Sequence, residues 1–294
     1  MSMKKLHVII AASLLGIVVN TGANVTAKPS PEQLKPGVTE VIIEHEGLNR
    51  EMLIHLPERY DPAKKYPVIF WFHGAGGPMR GVQGKLAPTV EKHNVIGVSP
   101  QGLADSRGVT GFNAFNNNAI SSADDVGLVR KIFSYLKKNA SIDTSRIYAT
   151  GGSNGGIFCY RLALETEIFA AIAPQRAGML HRHPLPENRP RISILHIIGT
   201  DDKLHIGGQA SRDEVFYSSQ ETLALWAKNH NVKTEPASET TGNVVVTRFS
   251  SEEDSFELIL YAINGEGHRI PREISNTFND LIYNFLIKYK NLSE

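Results

Sequence analysis

The 294-residue chain is 41% hydrophobic and nearly balanced in charge, with 31 Lys and Arg against 30 Asp and Glu. This suffices for one sizeable core, and the charge balance excludes the basic footprint of a nucleic-acid or acidic-membrane binder. A single cysteine, Cys159, excludes an intramolecular disulfide.

In chain order, Lys4 and Lys5 precede an apolar run from Val8 to Val19 and a small-polar stretch from Asn20 to Lys28. Residues 1–27 therefore have the pattern of a secretory signal peptide, with cleavage after Ala27 or Ala23 both fitting. An uncleaved anchor is the alternative, although the run is short for a membrane span. Val38–His45 and Glu51–Leu56 alternate as a hairpin at a sheet edge, and Pro67–Phe72 and Val95–Ser99 read as buried strands. Asp125–Lys138 reads as an amphipathic helix, with Ser122 and Asp125 spaced as a capping box that assigns Asp124 and Asp125 to helix initiation. A strand over Arg146–Thr150 precedes a buried helix over Ile157–Leu164, which contains Cys159. Ile192–Ile198 reads as a buried parallel strand, Glu214–His230 as a helix, Val244–Phe249 and Phe256–Ile263 as a strand pair, and Glu273–Tyr289 as a final helix. This alternation predicts an α/β fold: a mostly parallel central sheet with helices on both faces, one domain over residues 28–294.

Between the Arg146–Thr150 strand and the helix after it lies Gly151-Gly152-Ser153-Asn154-Gly155, a nucleophile-elbow pattern in its proper strand–turn–helix setting. Gly151 and Gly155 permit close approach of strand and helix, and Ser153 is the candidate nucleophile. A glycine-rich connection with a helix-capping serine is the alternative for the motif alone. A serine hydroxyl needs a base, and the base needs an acid to hold it. His268 follows a late strand on the glycine-flanked loop Asn264–Gly267, and either Asp201 or Asp202, on the turn after Ile192–Ile198, is placed to accept its N–H. The tetrahedral oxyanion needs two N–H donors, expected from Asn154 and from Ala75 in the loop His73-Gly74-Ala75-Gly76-Gly77, with His73 pinning that loop. Gly111–Asn118 is either a cleft-shaping or a plain surface loop. His181 and His183 lack a third metal ligand, and neither glycine-rich loop has a phosphate-binding lysine, so no metal or cofactor is expected.

These residues resemble α/β-hydrolases of the polyhydroxybutyrate depolymerase and feruloyl esterase group, secreted esterases related to carbohydrate esterases. Ser122–Val129 is similar to that group's Asp-Asp-Val-Gly-Phe-Val helix start, Ile142–Tyr148 to its Ile-Asp-x-x-Arg-Val-Tyr strand entry, and Phe169–Pro174 and Gly199–Asp202 match further segments. The likeness runs from about Pro67 to the C-terminus. It implies Ser153 as nucleophile, Asp202 as acid and His268 as base, with Asp202 favoured over Asp201 by motif phase. The group's His-x-Trp-Pro-Gly is replaced by His268-Arg269-Ile270-Pro271, and the turn after the acid is shorter.

The expected activity is serine carboxylic-ester hydrolysis through an acyl-enzyme, on short-chain, hydroxyalkanoate-oligomer or feruloyl and acetyl esters. A peptidase of the same fold and a noncatalytic binding protein are the alternatives. The expected partner is a small or oligomeric ester, with neither nucleic acid nor, after leader removal, membrane. Only Lys290–Glu294 follows the final helix, so no surface-binding module is expected and soluble esters are favoured over solid polyester.

Overall fold

Hydrophobic strands with helices between them assemble into a ten-stranded sheet in the computed structural model, which describes residues 34–114, 120–181, 185, 191–211, 214–232, 235–250, 255–275 and 277–291. The signal-peptide segment 1–27, residues 115–118 of the polar loop and His183 lie outside the described residues. The first half runs β1 (Gly37–His45), β2 (Leu48–Leu56), β3 (Tyr66–Phe72), α1 (Met79–His93), β4 (Ile96–Pro100), β5 (Leu103–Ala104), β6 (Thr110–Gly111), α2 (Asp125–Asn139), β7 (Ile142–Gly152) and α3 (Asn154–Glu165). There follow β8 (Ala171–Gln175), β9 (Ser193–Gly199), α4 (Lys203–Ile206), β10 (Gly208–Ser211), β11 (Glu214–Phe216), α5 (Ser219–Asn229), β12 (Ala237–Thr241), β13 (Val244–Arg248), β14 (Leu258–Ile263), α6 (Arg272–Ser275) and α7 (Phe278–Leu286).

The large sheet has the order β1-β2-β4-β3-β7-β8-β9-β14-β13-β12. Its centre, β4 to β14, is parallel, and antiparallel pairs close each edge. β3, β4, β8 and β9 are buried along their whole length, as strands covered on both faces must be. Successive side chains of β3 enter opposite cores: Val68, Phe70 and Phe72 pack with residues of α2, α3 and α5, whereas Ile69 and Trp71 pack with α1 and α7. Among the described residues no helix is long and apolar enough to cross a membrane.

Several elements depart from the sequence-based expectation. Helix α1 was not anticipated, because Gly81, Gly84 and an internal Pro88 weaken its helical signal; buried Val82, Leu86 and Val90 hold it against the sheet. The helix expected over Glu214–His230 begins only at Ser219, after a three-residue strand, where Ser218 and Glu221 form a full capping box. The final helix is interrupted: Thr277 Oγ1 donates to Ile274 O at 2.7 Å, and α7 starts afresh at Phe278. β12 is exposed throughout, so it has no apolar alternation to reveal it.

The capping box expected from Ser122 and Asp125 does not form. Asp124 is the N-cap of α2, its Oδ1 accepting from Gly127 N–H at 2.8 Å, and Asp125 turns inward to full burial. There Asp125 Oδ1 accepts from Arg50 Nη2, in an ion pair with no exposure on either side, while Oδ2 accepts from Asn113 N–H at 2.6 Å. Removing one partner of a buried pair strands the other charge. Asp125→Ala is expected to lower unfolding stability in urea by about 3–5 kcal/mol. A loss under about 1 kcal/mol, the worth of a surface pair, would show that Arg50 finds another acceptor.

Candidate active site

Strand β7 runs straight into α3, and the turn between them places Ser153 at φ 54° and ψ −123°. A positive φ is strained for a residue with a Cβ, and surrounding contacts must hold it. Ser153 N–H donates to Gln175 O of β8 at 2.9 Å, and Ser153 O accepts from Ile157 N–H at 2.9 Å. The glycines on either side are required by space: a Cβ on Gly151 would lie 2.7 Å from Phe72 O, and one on Gly155 would lie 2.6 Å from His73 O. Backbone cannot yield to such contacts as a flexible side chain could. The strand end, the helix start and the loop after β3 are therefore pressed together around the serine.

His268, on the loop after β14, places Nε2 3.0 Å from Ser153 Oγ and Nδ1 2.7 Å from Asp202 Oδ2. Asp202 is 2% exposed, and its Oδ1 accepts from Leu204 N–H at 3.0 Å. Asp201 points away: it is exposed, and its carboxylate accepts from Thr200 Oγ1 at 3.3 Å. The turn after β9 and the His268 loop are tied by backbone, with Asp201 N–H donating to Glu266 O at 2.9 Å and Thr200 N–H to Ile263 O at 3.0 Å. Thr200 Oγ1 also accepts from Gly265 N–H at 3.0 Å.

Ala75 lies in the loop after β3, where a Cβ on the preceding Gly74 would lie 3.1 Å from Gly152 O and 3.5 Å from Ser153 Cβ. Gly76 N–H donates to Thr110 O at 2.7 Å and Gly77 N–H to Gly74 O at 3.0 Å. Asn154 opens α3, where first-turn N–H groups have no partner within the helix. Its side chain clasps the backbone of Phe112, accepting from the N–H at 2.8 Å and donating to the carbonyl at 3.0 Å. Phe112 is buried and stacks on Phe158 with centroids 5.1 Å apart, so this part of the polar loop belongs to the core rather than to a cleft wall or an open surface.

His73 is a buried brace. Its Nε2 accepts from Gly102 N–H at 2.9 Å, a group that can only donate, so the proton sits on Nδ1, which donates to Gly74 O at 2.8 Å. His181 stacks on Tyr217, and among the described residues no group of three or more His, Cys, Asp or Glu side chains is arranged for a metal ion. Cys159 is fully buried, which pushes its thiol well above the ordinary range.

One residue near the serine was missed from sequence. Arg176, directly after β8, has φ 48°, and its guanidinium lies against Gly152: a Cβ there would stand 3.3 Å from Cζ. Its position two residues past Pro174, at the end of a strand beside the elbow strand, was the available signal.

No family model matches the chain. Among curated proteins, it is 31% identical to "Probable feruloyl esterase C" of Aspergillus terreus over 133 residues, 45% of this chain and 47% of that protein. It is 28% identical to feruloyl esterase C of Emericella nidulans over 132 residues, again 45% and 47% of the two. The chain thus spans about half the length of these relatives. Among solved structures, an acetyl xylan esterase from Aspergillus awamori superposes with a TM-score of 0.61 at 16% identity, covering 85% of this chain and 99% of that one. The chain has an α/β-hydrolase fold. A thermostable esterase, with a TM-score of 0.56 at 16% identity over 86% of this chain and 63% of that one, shares it. In this chain the large central sheet is parallel where it carries the serine and antiparallel at its edges.

Charge at the site is set by burial against hydrogen bonding. Burial alone would raise the Asp202 carboxyl, but the His268 hydrogen bond, the Leu204 N–H and the nearby His268 and Arg176 charges outweigh it and hold the carboxyl below its ordinary value. Burial lowers His73 and His205, and lowers fully buried His196 to about 3. Each of these histidines is less basic folded than unfolded, so the unfolded chain gains protons first as pH falls below about 6.5. Their contribution is complete above that pH and is lost on acidification, for His196 with a slope of up to about 1.4 kcal/mol per pH unit. The urea midpoint should therefore fall steadily between pH 7 and pH 5. A midpoint that held or rose over that interval would show that these rings take up protons in the folded chain.

Proposed function

We propose that the chain is a serine carboxylic-ester hydrolase in which Ser153 is the nucleophile, His268 the general base and Asp202 the acid that orients it. The observation that carries the reading is the continuous relay from Ser153 Oγ through His268 to buried Asp202, at 3.0 and 2.7 Å, on a strained turn. Strain of this kind persists where function uses it. Asp202 fixes the imidazole with Nδ1 protonated, leaving Nε2 free to take the serine proton.

Ser153 Oγ attacks the ester carbonyl as His268 accepts its proton, and the oxyanion is held by the N–H groups of Asn154 and Ala75. Ala75 N–H donates to no other group among the described residues. His268 then protonates the leaving alcohol, and water repeats the cycle on the acyl-enzyme. Each oxyanion donor contributes about 2.7–4 kcal/mol in comparable sites. The feruloyl and acetyl xylan esterases to which the chain is similar support short-chain, feruloyl or acetyl esters as substrates, with hydroxyalkanoate oligomers as a related class. The leader pattern of residues 1–27 supports secretion, the remainder acting as a single catalytic domain.

Turnover of acetyl, feruloyl and hydroxybutyrate esters, beside matched anilides, tests the reading. Ser153→Ala should cost about a millionfold and Asp202→Asn about ten-thousandfold, whereas Asp201→Asn should cost far less because its carboxylate faces Thr200. A tenth of the wild-type rate in Ser153→Ala would remove the serine from the mechanism, and faster cleavage of the anilides than of the esters would make the protein a peptidase.

A further inference from the structure

We propose that Arg176 is the binding residue of an anion subsite inside the catalytic centre, and that the preferred ester carries a free carboxylate a few bonds from its scissile carbonyl. This rests on the esterase reading above and names its substrate class.

β8 lies between β7 and β9 in the sheet; Ser153 follows β7, Asp202 lies just past β9, and Arg176 follows β8. Arg176 therefore stands between nucleophile and acid at the carboxyl ends of parallel strands, where ligands of open α/β sheets bind. Its backbone is held there in a left-handed conformation, φ 48°, with Arg176 N–H donating to Ile197 O at 2.7 Å. The neighbouring Gln175 carbonyl accepts from Ser153 N–H at 2.9 Å, so the strained arginine and the strained serine are fixed to one another.

Among the described residues the guanidinium has no acceptor. It is half-buried against Gly152, yet among the described residues it forms neither a hydrogen bond nor an ion pair. Asp202, whose charge it feels, has its two oxygens occupied by Leu204 N–H and His268. Among the described residues, half-buried Arg146 pairs with Asp143 and buried Arg161 with Glu165. Arginine stays charged, and removing that charge from water without a partner is costly. Its planar fork matches a carboxylate in two parallel hydrogen bonds. The packing of Cζ one residue before Ser153 limits the spacing between such a carboxylate and the carbonyl under attack. Half-esters of short dicarboxylic acids place the charge on the acyl side, and acylated hydroxy acids, including hydroxyalkanoate oligomers with a free acid end, place it on the alcohol side.

The test compares kcat/KM for two matched pairs, monoethyl glutarate with ethyl valerate and 3-acetoxybutyrate with its methyl ester, in the wild type, Arg176→Gln and Arg176→Lys. The wild type should favour the anionic member of at least one pair by about tenfold or more, the scale of a charge-assisted hydrogen bond. That pair assigns the acyl or alcohol side. Arg176→Gln should abolish the preference and Arg176→Lys should keep part of it. A wild-type preference below about twofold in both pairs, or one that survives in Arg176→Gln, would overturn the subsite. An equal loss on charged and neutral esters in Arg176→Gln would overturn it too, since that is the signature of an effect through Asp202. If no ester is turned over, the esterase reading fails and calorimetry of monoethyl glutarate and 3-acetoxybutyrate decides the subsite separately. Binding weakened about tenfold by Arg176→Gln would uphold it, and binding that is absent or unchanged would end it.

Discussion

The site depends on a backbone contact before it depends on any side chain. The carbonyls of Phe72 and His73 press against Gly155, and the Gly151 Cα faces the Phe72 carbonyl and the Gly155 backbone. A methyl group at either glycine would separate β3 from the β7–α3 turn. With the turn held this tightly, Ser153 takes positive φ and its hydroxyl projects toward His268. The same closeness brings Gly74, the residue before Ala75, against Gly152 and Ser153. Ser153 and the loop that carries Ala75 are thus positioned by one contact between two parallel strands and the segments that leave them.

Asp202 and His268 arrive from the far side of the serine strand by the same logic. β9 and β14 are parallel neighbours, so their carboxyl ends emerge together, and the backbone bonds from Thr200 and Asp201 to Ile263 and Glu266 lock the two loops. Asp202 is buried and remains a carboxylate because its oxygens are used by Leu204 N–H and His268. A buried acid kept ionised in this way holds an imidazole in one tautomer and one orientation. His73 performs a different task with the same side chain: locked between Gly102 N–H and Gly74 O, it supports the loop and never meets the serine.

Much of this was legible in the chain because motif and period agree. The elbow glycines, Ser153, His268 and the Asp201–Asp202 pair sit at the ends of strands whose hydrophobic runs declare themselves, and the structure brings Ser153, Asp202 and His268 together. What stayed hidden depends on long-range packing. Pro88 and two glycines mask α1, whose stability comes from Val82, Leu86 and Val90 against the sheet. Asp125 resembles a helix-initiating acid locally, and only the fold shows Arg50, 75 positions away in sequence, waiting for it in the core. Arg176 has no local motif; its meaning comes from standing between two strand ends that sequence separates.

The proposed role of Ser153 as an activated nucleophile can be tested on the folded chain. Labelling the folded protein with a serine-directed fluorophosphonate, followed by peptide mass mapping, tests it most directly. One covalent adduct per chain is expected, on the peptide that contains Ser153, and none on that peptide when His268 is replaced by alanine. Absence of an adduct on the folded wild-type chain, or an adduct on another serine, would contradict it.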